Sequence, residues 1–254
     1  MNYRAIEMPL LPKSRVVSVI MDSRISAKIE NGLKGLGIET IKVPICKEVY
    51  SAISGHPDIL IHHIERESIV VAPNIYTNFK NRLFDKELKV IKGDSILSSN
   101  YPNNIAYNIG RVGKYAIHNL KYTDKVTLKL LEQNGISFID VKQGYAKCSM
   151  CVVNDNAIIT SDKGIAKALE KNGVDVLIIS HGNISLPGLE YGFIGGASGL
   201  INKKLMAFTG SLRWHPEFEQ IINFSRKYQI EAVFLDENMP IDVGSIIPIF
   251  EIVQ

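Results

Sequence analysis

Cys148 ends the run Gly144-Tyr145-Ala146-Lys147-Cys148, and a histidine and a carboxylate stand close together in Gly55-His56-Pro57-Asp58. A thiol attacks carbon only as the thiolate, and a nearby imidazolium or other cation lowers its pKa toward the working range. Lys147, adjacent to the cysteine, is expected to add to that effect. Each residue also has a plainer reading. A free cysteine is most often a small buried hydrophobe, His56 a turn residue before proline, and Asp58 a cap at a strand end. Cys148 and Cys151 have C-x-x-C spacing, but no second pair completes a zinc site, and on a strand the two side chains point to opposite faces. Cys46 follows a strand and reads as structural. His62 and His63 read as strand residues pointing one in and one out, Arg111 and Arg213 as exposed salt-bridging residues, and His181-Gly182-Asn183 as a loop.

The elements that must position these groups recur. A strand cue appears at 36–43, 86–91, 134–141, 172–179 and 228–235, and His56, Pro102, Cys148, Gly195 and Asp242 follow one another at steps of 46 or 47 residues. That period fits one supersecondary unit, and five such units nearly fill the chain. The fourth copy is the clearest. Cys148–Val153 reads as a strand, Asn154-Asp155-Asn156 as a hairpin turn, and Ala157–Thr160 as the returning strand. Ser161 or Asp162 caps a helix with Ile165, Ala168 and Leu169 on one face, and Asn172-Gly173 ends it. Val174–Ile179 is apolar throughout and is expected to be buried on both faces.

The other copies follow the same grammar. Strands are expected at 58–64 and 68–72, 104–108 and 114–119, and 193–201 and 204–209. Helices are expected near 76–83, after Thr123 or Asp124, and with Pro216 in a first turn. The first copy, with strands at 15–21 and 38–43 around a helix from about Ser26, has no leading strand. The segment Gly244–Phe250 is expected to supply it and to close the five units into a ring.

Composition narrows the classes. A hydrophobic share of 46% is that of an ordinary globular protein, and the net charge of +3 is scattered without the basic run of a nucleic-acid tail. No apolar stretch nears the ~18 residues of a membrane span, and the start lacks a signal-peptide core. Three cysteines are too few for a disulfide framework and point to reduced thiols in a cytoplasm.

Five β-β-α-β units about a pseudo-fivefold axis resemble the pentein, or guanidino-group-modifying-enzyme, superfamily. The segment Leu186-Pro187-Gly188-Leu189-Glu190-Tyr191-Gly192-Phe193-Ile194-Gly195-Gly196-Ala197-Ser198-Gly199 reads as the signature of one bacterial branch. The resemblance implies an α/β fold, a closed five-fold pseudosymmetric propeller of ββαβ units in a single domain, 1–254. The repeats fall at approximately 10–55 plus 242–254, 56–101, 102–147, 148–194 and 195–241. His56-Pro57-Asp58 matches the superfamily's H-x-D element, Cys148 lies two repeats on, and Asp242 takes the carboxylate place one repeat back around the ring.

The roles implied are Cys148 as nucleophile, His56 as acid and base, and Asp242 as its orienting carboxylate. Asp58 is implied to bind substrate, with Asn104, Lys147, Gly195 and Gly196 at the remaining binding positions. If the register shifts, Asp236, Glu237 or Glu190 takes the place of Asp242.

There are departures. Lys147-Cys148 replaces the familiar histidine-cysteine pair, Gly195-Gly196 stands where a second guanidinium-binding carboxylate is expected, and Pro102-Asn103-Asn104 supplies only amides. The substrate need not resemble arginine. The expected activity is a cysteine-dependent hydrolase or transferase acting on a guanidine, amidine or related C–N group through a covalent thiol adduct. The alternative is a non-catalytic pentein module, ribosome-associated or ligand-binding. No cofactor and no metal are expected. The expected partner is a small guanidino-type molecule, not nucleic acid or membrane, and a homodimer stays open.

Overall fold

The structure, a computed structural model, describes residues 2–253; Met1 and Gln254, at the two ends of the expected single domain, lie outside the described residues. The first unit holds β1 (Tyr3–Ala5), β2 (Val16–Asp22), α1 (Ala27–Gly35) and β3 (Glu39–Val43). The second holds α2 (Pro57–Leu60), β4 (Ile61–Glu65), β5 (Ser68–Val71), α3 (Tyr76–Arg82) and β6 (Lys89–Lys92). The third holds β7 (Gly110–Val112), β8 (Tyr115–His118), α4 (Lys125–Gln133) and β9 (Ser137–Asp140). The fourth holds α5 (Ala146–Ser149), β10 (Cys151–Asn154), β11 (Ala157–Thr160), α6 (Lys163–Glu170) and β12 (Asp175–Ile178). The fifth holds β13 (Ser198–Asn202), β14 (Leu205–Phe208), α7 (Phe218–Lys227) and β15 (Glu231–Phe234), and β16 (Ile247–Ile252) follows.

Units two to five each form a three-stranded sheet in which the leading strand runs antiparallel to the second and the second parallel to the third. The helix between second and third strands supplies the crossover that parallel pairing requires. The first unit's sheet has four strands in the order β1-β16-β2-β3. β16 lies antiparallel to both neighbours, with Tyr3 opposite Ile252 and Ile247 opposite Ile20. Glu251, fully buried on β16, is satisfied by Arg4 Nε at 3.1 Å and by the amides of Lys13 and Ser14 at 2.6 and 2.9 Å. The edge strand β1 has no counterpart in the sequence reading.

Local signals explain the helices. Ser26, Asp124 and Asp162 each accept a hydrogen bond from the amide three residues on, at 3.3, 2.9 and 2.8 Å. The inward faces then follow helical spacing, as with buried Ile165, Ala166 and Leu169 on α6. Pro216 lies two residues before α7 instead of in its first turn. β12 is only half-buried, with Ile178 45% exposed, because each third strand is the outer edge of its sheet.

The leading strands also start later than their apolar runs. Pro57–Leu60, Ala146–Ser149 and Ile194–Ala197 are single helical turns, and residues 104–108 are loop, so β4, β10, β13 and β7 begin after them. Those turns place the chemistry-bearing residues. Neighbouring sheets touch through β7 and β10, β10 and β13, and β13 and β16, and the first and second units through β2 and α2. Among the described residues, no helix is long and apolar enough to cross a membrane.

Candidate active site

Asp58, Asn108, Cys148, Gly195 and Ser245 stand two or three residues ahead of β4, β7, β10, β13 and β16, and they meet in one buried cluster. Asn108 Nδ2 donates to Cys148 Sγ at 3.0 Å and to the Asp58 carbonyl at 3.1 Å. Its Oδ1 accepts the amides of Lys147 and Cys148 at 2.8 and 3.2 Å, fixing the short turn that carries the thiol. Cys148 Sγ donates to Asp58 Oδ2 at 3.1 Å. Ser245 Oγ lies 2.7 Å from that same oxygen and 2.8 Å from the Gly195 carbonyl. Lys147 Nζ donates to Ser245 Oγ at 2.7 Å and to the Gly195 carbonyl at 3.2 Å.

His56 sits beside this cluster between two carboxylates. Its Nδ1 is 3.7 Å from Asp242 Oδ1 and its Nε2 is 4.0 Å from Asp22 Oδ2, and the ring is 2% exposed. Asp242 is held by the amides of Phe193 and Gly244, both at 2.9 Å. A Cβ at Gly196 would fall 2.0 Å from Asp242 Oδ1. Gly244 adopts φ +70°, and a Cβ there would fall 2.3 Å from that of His56, so only glycine fits the approach. Asp22 is gripped by Arg24, whose Nε and Nη2 reach its two oxygens at 2.9 and 2.6 Å.

Cys148, His56 and Asp242 line one cavity of about 320 Å³. Its walls are Tyr50, Tyr145, Tyr191 and Phe193, with Ile53, Leu186 and Leu189 between them and exposed Glu190 among its lining residues. A second cavity of about 340 Å³, lined by Asp22 and Arg24, shares His56, Leu186 and Asp242 with the first. Asp58 lies behind the thiol and lines instead a space of about 20 Å³ with His62, Arg111 and Lys147.

Burial pushes the Cys148 thiol well above its ordinary pKa, and the negative charges of Asp58 and Asp242 push it further, while the Asn108 N–H works the other way. Burial likewise raises the Asp242 carboxyl, opposed by His56 and aided by Asp58. The expected lowering of the thiol pKa by Lys147 does not hold, because that ammonium turns to Ser245 and Gly195.

Of the residues expected from the sequence, Cys148, His56 and Asp242 come together on one cavity, with Asp58 in contact with the sulfur. Gly195 contributes its carbonyl, and Gly196 packs against Asp242. Asn104 stands apart from the thiol: it accepts from Tyr145 Oη at 3.1 Å and donates to the Ser99 carbonyl at 3.1 Å, so it holds a wall residue of the cavity in place.

Several neighbours differ from expectation. Cys148 is on a helical turn, not a strand, and Cys151 Sγ points to Met206 Sδ at 3.3 Å, so C-x-x-C spacing does not pair the thiols. His62 and His63 are both buried, and Arg111 is buried with Nη1 on the Ile64 carbonyl at 3.2 Å. Among the described residues, no group of three or more His, Cys, Asp or Glu side chains is placed to hold a metal ion.

Sequence reasoning missed Asn108, Ser245, Asp22 and Arg24. The shared offset before each leading strand would have marked Asn108 and Ser245 had the strand starts been placed correctly. Asp22 and Arg24 follow the apolar run Val16–Met21 directly, where a chain leaving a buried strand reaches the rim of the site.

A family model described as a family of unknown function (DUF6873) matches residues 20–247. No curated protein matches the chain in sequence. Solved structures are similar in fold. The inosamine-phosphate amidinotransferase StrB1 from Streptomyces griseus superposes with a TM-score of 0.57 at 9% identity, covering 92% of each chain. An agmatine deiminase from C. jejuni gives 0.55 at 13% identity, covering 98% of this chain and 97% of that one. DDAH from Pseudomonas aeruginosa gives 0.53 at 9% identity, covering 87% and 92%. These are pentein superfamily members, and the fold of this chain is theirs.

Proposed function

The chain belongs to the family of unknown function DUF6873, and for this member we propose a thiol-dependent enzyme that hydrolyses or transfers at a guanidine, amidine or related C–N centre. One observation carries the proposal: Cys148, His56 and Asp242, drawn from three different units, line one cavity, with Asp58 3.1 Å from the sulfur. The enclosing architecture we read as one domain, a closed ring of five units in which β16 fills the first unit's leading place. The pairing of β16 with β2 and the contacts between successive sheets support that reading. The amidinotransferase and deiminases that share the fold fit the chemistry by analogy only.

In this reading the resting thiol is inert until substrate arrives. A cationic substrate entering beside Asp242, with Asp58 behind the sulfur, offsets the charges that hold the thiol protonated. His56 takes the thiol proton, the thiolate adds to the guanidinium carbon, and the C–N bond to the leaving amine breaks as His56 returns the proton to that nitrogen. The enzyme is left as a cationic thiouronium on Cys148. His56 then takes a proton from water, and the hydroxide adds to the same carbon. The C–S bond breaks as the proton on the new hydroxyl passes to sulfur, giving a neutral urea-type product and the free thiol while His56 loses its proton through solvent to the departed amine. Asp242, fixed by two amides, orients the imidazole, and Asn108 steadies the sulfur. Asn104, Lys147, Gly195 and Gly196 shape the site without touching substrate.

A second reading also has an observation in its favour. A buried thiol held protonated by two acids is what a packed, non-catalytic cysteine in a binding module looks like. Intact-mass analysis separates the two. Incubation with a panel of guanidines and amidines, followed by acid quench, is expected to trap a mass increment on wild type that Cys148→Ser lacks and that His56→Ala forms far more slowly. A panel that leaves neither adduct nor ureido product favours the binding module.

A further inference from the structure

The cavity above the thiol has a one-sided chemistry. Tyr145 and Phe193 pack with ring centroids 6.4 Å apart, and Tyr191 meets Phe193 edge-on at 6.2 Å, giving a continuous aromatic wall. Aromatic faces attract cations, guanidinium groups above all. Every charged side chain that borders the cavity, apart from the ionisable His56 and Cys148, is a carboxylate: Asp242 and exposed Glu190. Among the described residues no lysine or arginine lines it.

Lys147, next to the thiol in sequence, and Arg24 are already committed. Lys147 faces Ser245 and the Gly195 carbonyl. Arg24, in the adjoining cavity, has five N–H groups, and all of them have acceptors. Nε and one Nη2 hydrogen go to Asp22, the other Nη2 hydrogen to the Ala52 carbonyl at 3.1 Å, and Nη1 to the Ser51 carbonyl and Ser54 Oγ. Neither can receive a substrate carboxylate or phosphate without first breaking those bonds.

We infer that the substrate is a small guanidinium or amidinium compound whose stem is apolar or carries a second positive charge, and which bears no carboxylate or phosphate. The reactive cation sits at Cys148 and Asp242, the stem lies along Tyr145, Phe193 and Tyr191, and a distal cation meets Glu190. The inference rests on the thiol-enzyme reading of this site, and it excludes arginine and other guanidino acids as the preferred substrate.

Calorimetric titration of Cys148→Ser tests it with guanidinobutylamine and benzylguanidine against guanidinobutanoate and arginine. The two carboxylate-free ligands are expected to bind at least about tenfold more tightly, the order of a buried-rim charge contrast. Glu190→Lys, at an exposed position, is expected to weaken guanidinobutylamine and strengthen guanidinobutanoate, narrowing their ratio by roughly three- to tenfold, and to weaken the singly charged benzylguanidine less than guanidinobutylamine. Equal or tighter binding of the acids overturns the substrate class and leaves the guanidine enzyme standing. An unchanged ratio in Glu190→Lys removes the distal contact. Failure of all four ligands to bind removes the enzyme reading itself.

Discussion

Replacing Asp58 with asparagine makes the thiol of Cys148 more reactive, although the substitution removes a group at the centre of the site. Asp58 Oδ2 lies 3.1 Å from Sγ, and both side chains are buried. Forming a thiolate there places two negative charges together. At an effective dielectric of ~20 their repulsion amounts to about 5 kcal/mol. An amide keeps part of the local polarity and the surroundings relax, so about half of that, 2–3 kcal/mol, is the expected gain for the thiolate. That corresponds to on the order of 50-fold more thiolate at a given pH below the thiol's pKa. The side-chain amide that replaces the carboxylate can also donate an N–H to the sulfur anion, which acts in the same direction. The assay is the rate of iodoacetamide alkylation against pH, followed by peptide mass mapping so that Cys46 and Cys151 are scored separately. Wild type is expected to alkylate slowly and to keep accelerating beyond pH ~9, without an early plateau, because its thiol pKa is raised. A folded Asp58→Asn protein that alkylates no faster than wild type at every pH would show that burial alone, and not the acid pair, holds this thiol protonated.

Two further expectations concern the frame around the site. Gly196→Ala forces a Cβ to within 2.0 Å of Asp242 Oδ1, a carboxylate pinned by two amides, so it is expected to abolish adduct formation and cost about 1–3 kcal/mol of stability. Gly35→Ala on α1 meets nothing within 4 Å and serves as the control; urea unfolding of the pair checks the difference, and equal stability refutes the tight packing. Asp124 is a fully buried hub that caps α4 and accepts the amides of Asp94 and Ser95, both at 2.8 Å, and the Tyr107 hydroxyl at 3.2 Å. Burial raises its carboxyl, but these donors outweigh it and the net pKa is lowered, so its stabilisation is present above the ordinary carboxylate range and fades as pH falls through the lowered value. Asp124→Ala is therefore expected to cost about 2–4 kcal/mol near pH 7, with the gap from wild type closing toward pH ~2; a gap independent of pH counts against a charged hub.

The repeat period survived translation from sequence into structure because apolar runs, caps and Gly-bearing helix ends are local signals. Asp124 and Asp162 announce their helices, but of the residues at 46- or 47-residue steps only Cys148 and Gly195 share one offset, three residues ahead of their strands, while His56 and Asp242 stand five ahead and Pro102 eight. The leading-strand starts were less legible. Pro57–Leu60 and Ala146–Ser149 are apolar enough to pass for strand, yet tertiary packing at the converging ends coils them into single turns. That one misreading hid Asn108 and Ser245, whose roles depend on where the strand begins. Arg111 was misjudged for a different reason: nothing in its neighbours Gly110 and Val112 tells a buried guanidinium from an exposed one. The thiol's electrostatics were equally out of reach, since adjacency of Lys147 in the chain says nothing about where a long side chain turns.

β16 is synthesised after every other strand described above, yet it lies inside its sheet, flanked by β1 and β2. Pairing Tyr3 with Ile252 joins positions from opposite ends of the described chain, the most non-local contact a folding search can require. Until it forms, one edge of β2 stays open to association with other chains. Ser245 and Asp242 arrive on the segment just ahead of that strand, so a chain stalled before them holds Cys148 and His56 without the carboxylate 3.7 Å from the imidazole and the hydroxyl that seats Lys147. Vectorial synthesis thus delays completion of the cluster around the thiol until the segment ahead of β16 has been made, and a chain stalled before it carries the cysteine without the surroundings that govern its protonation.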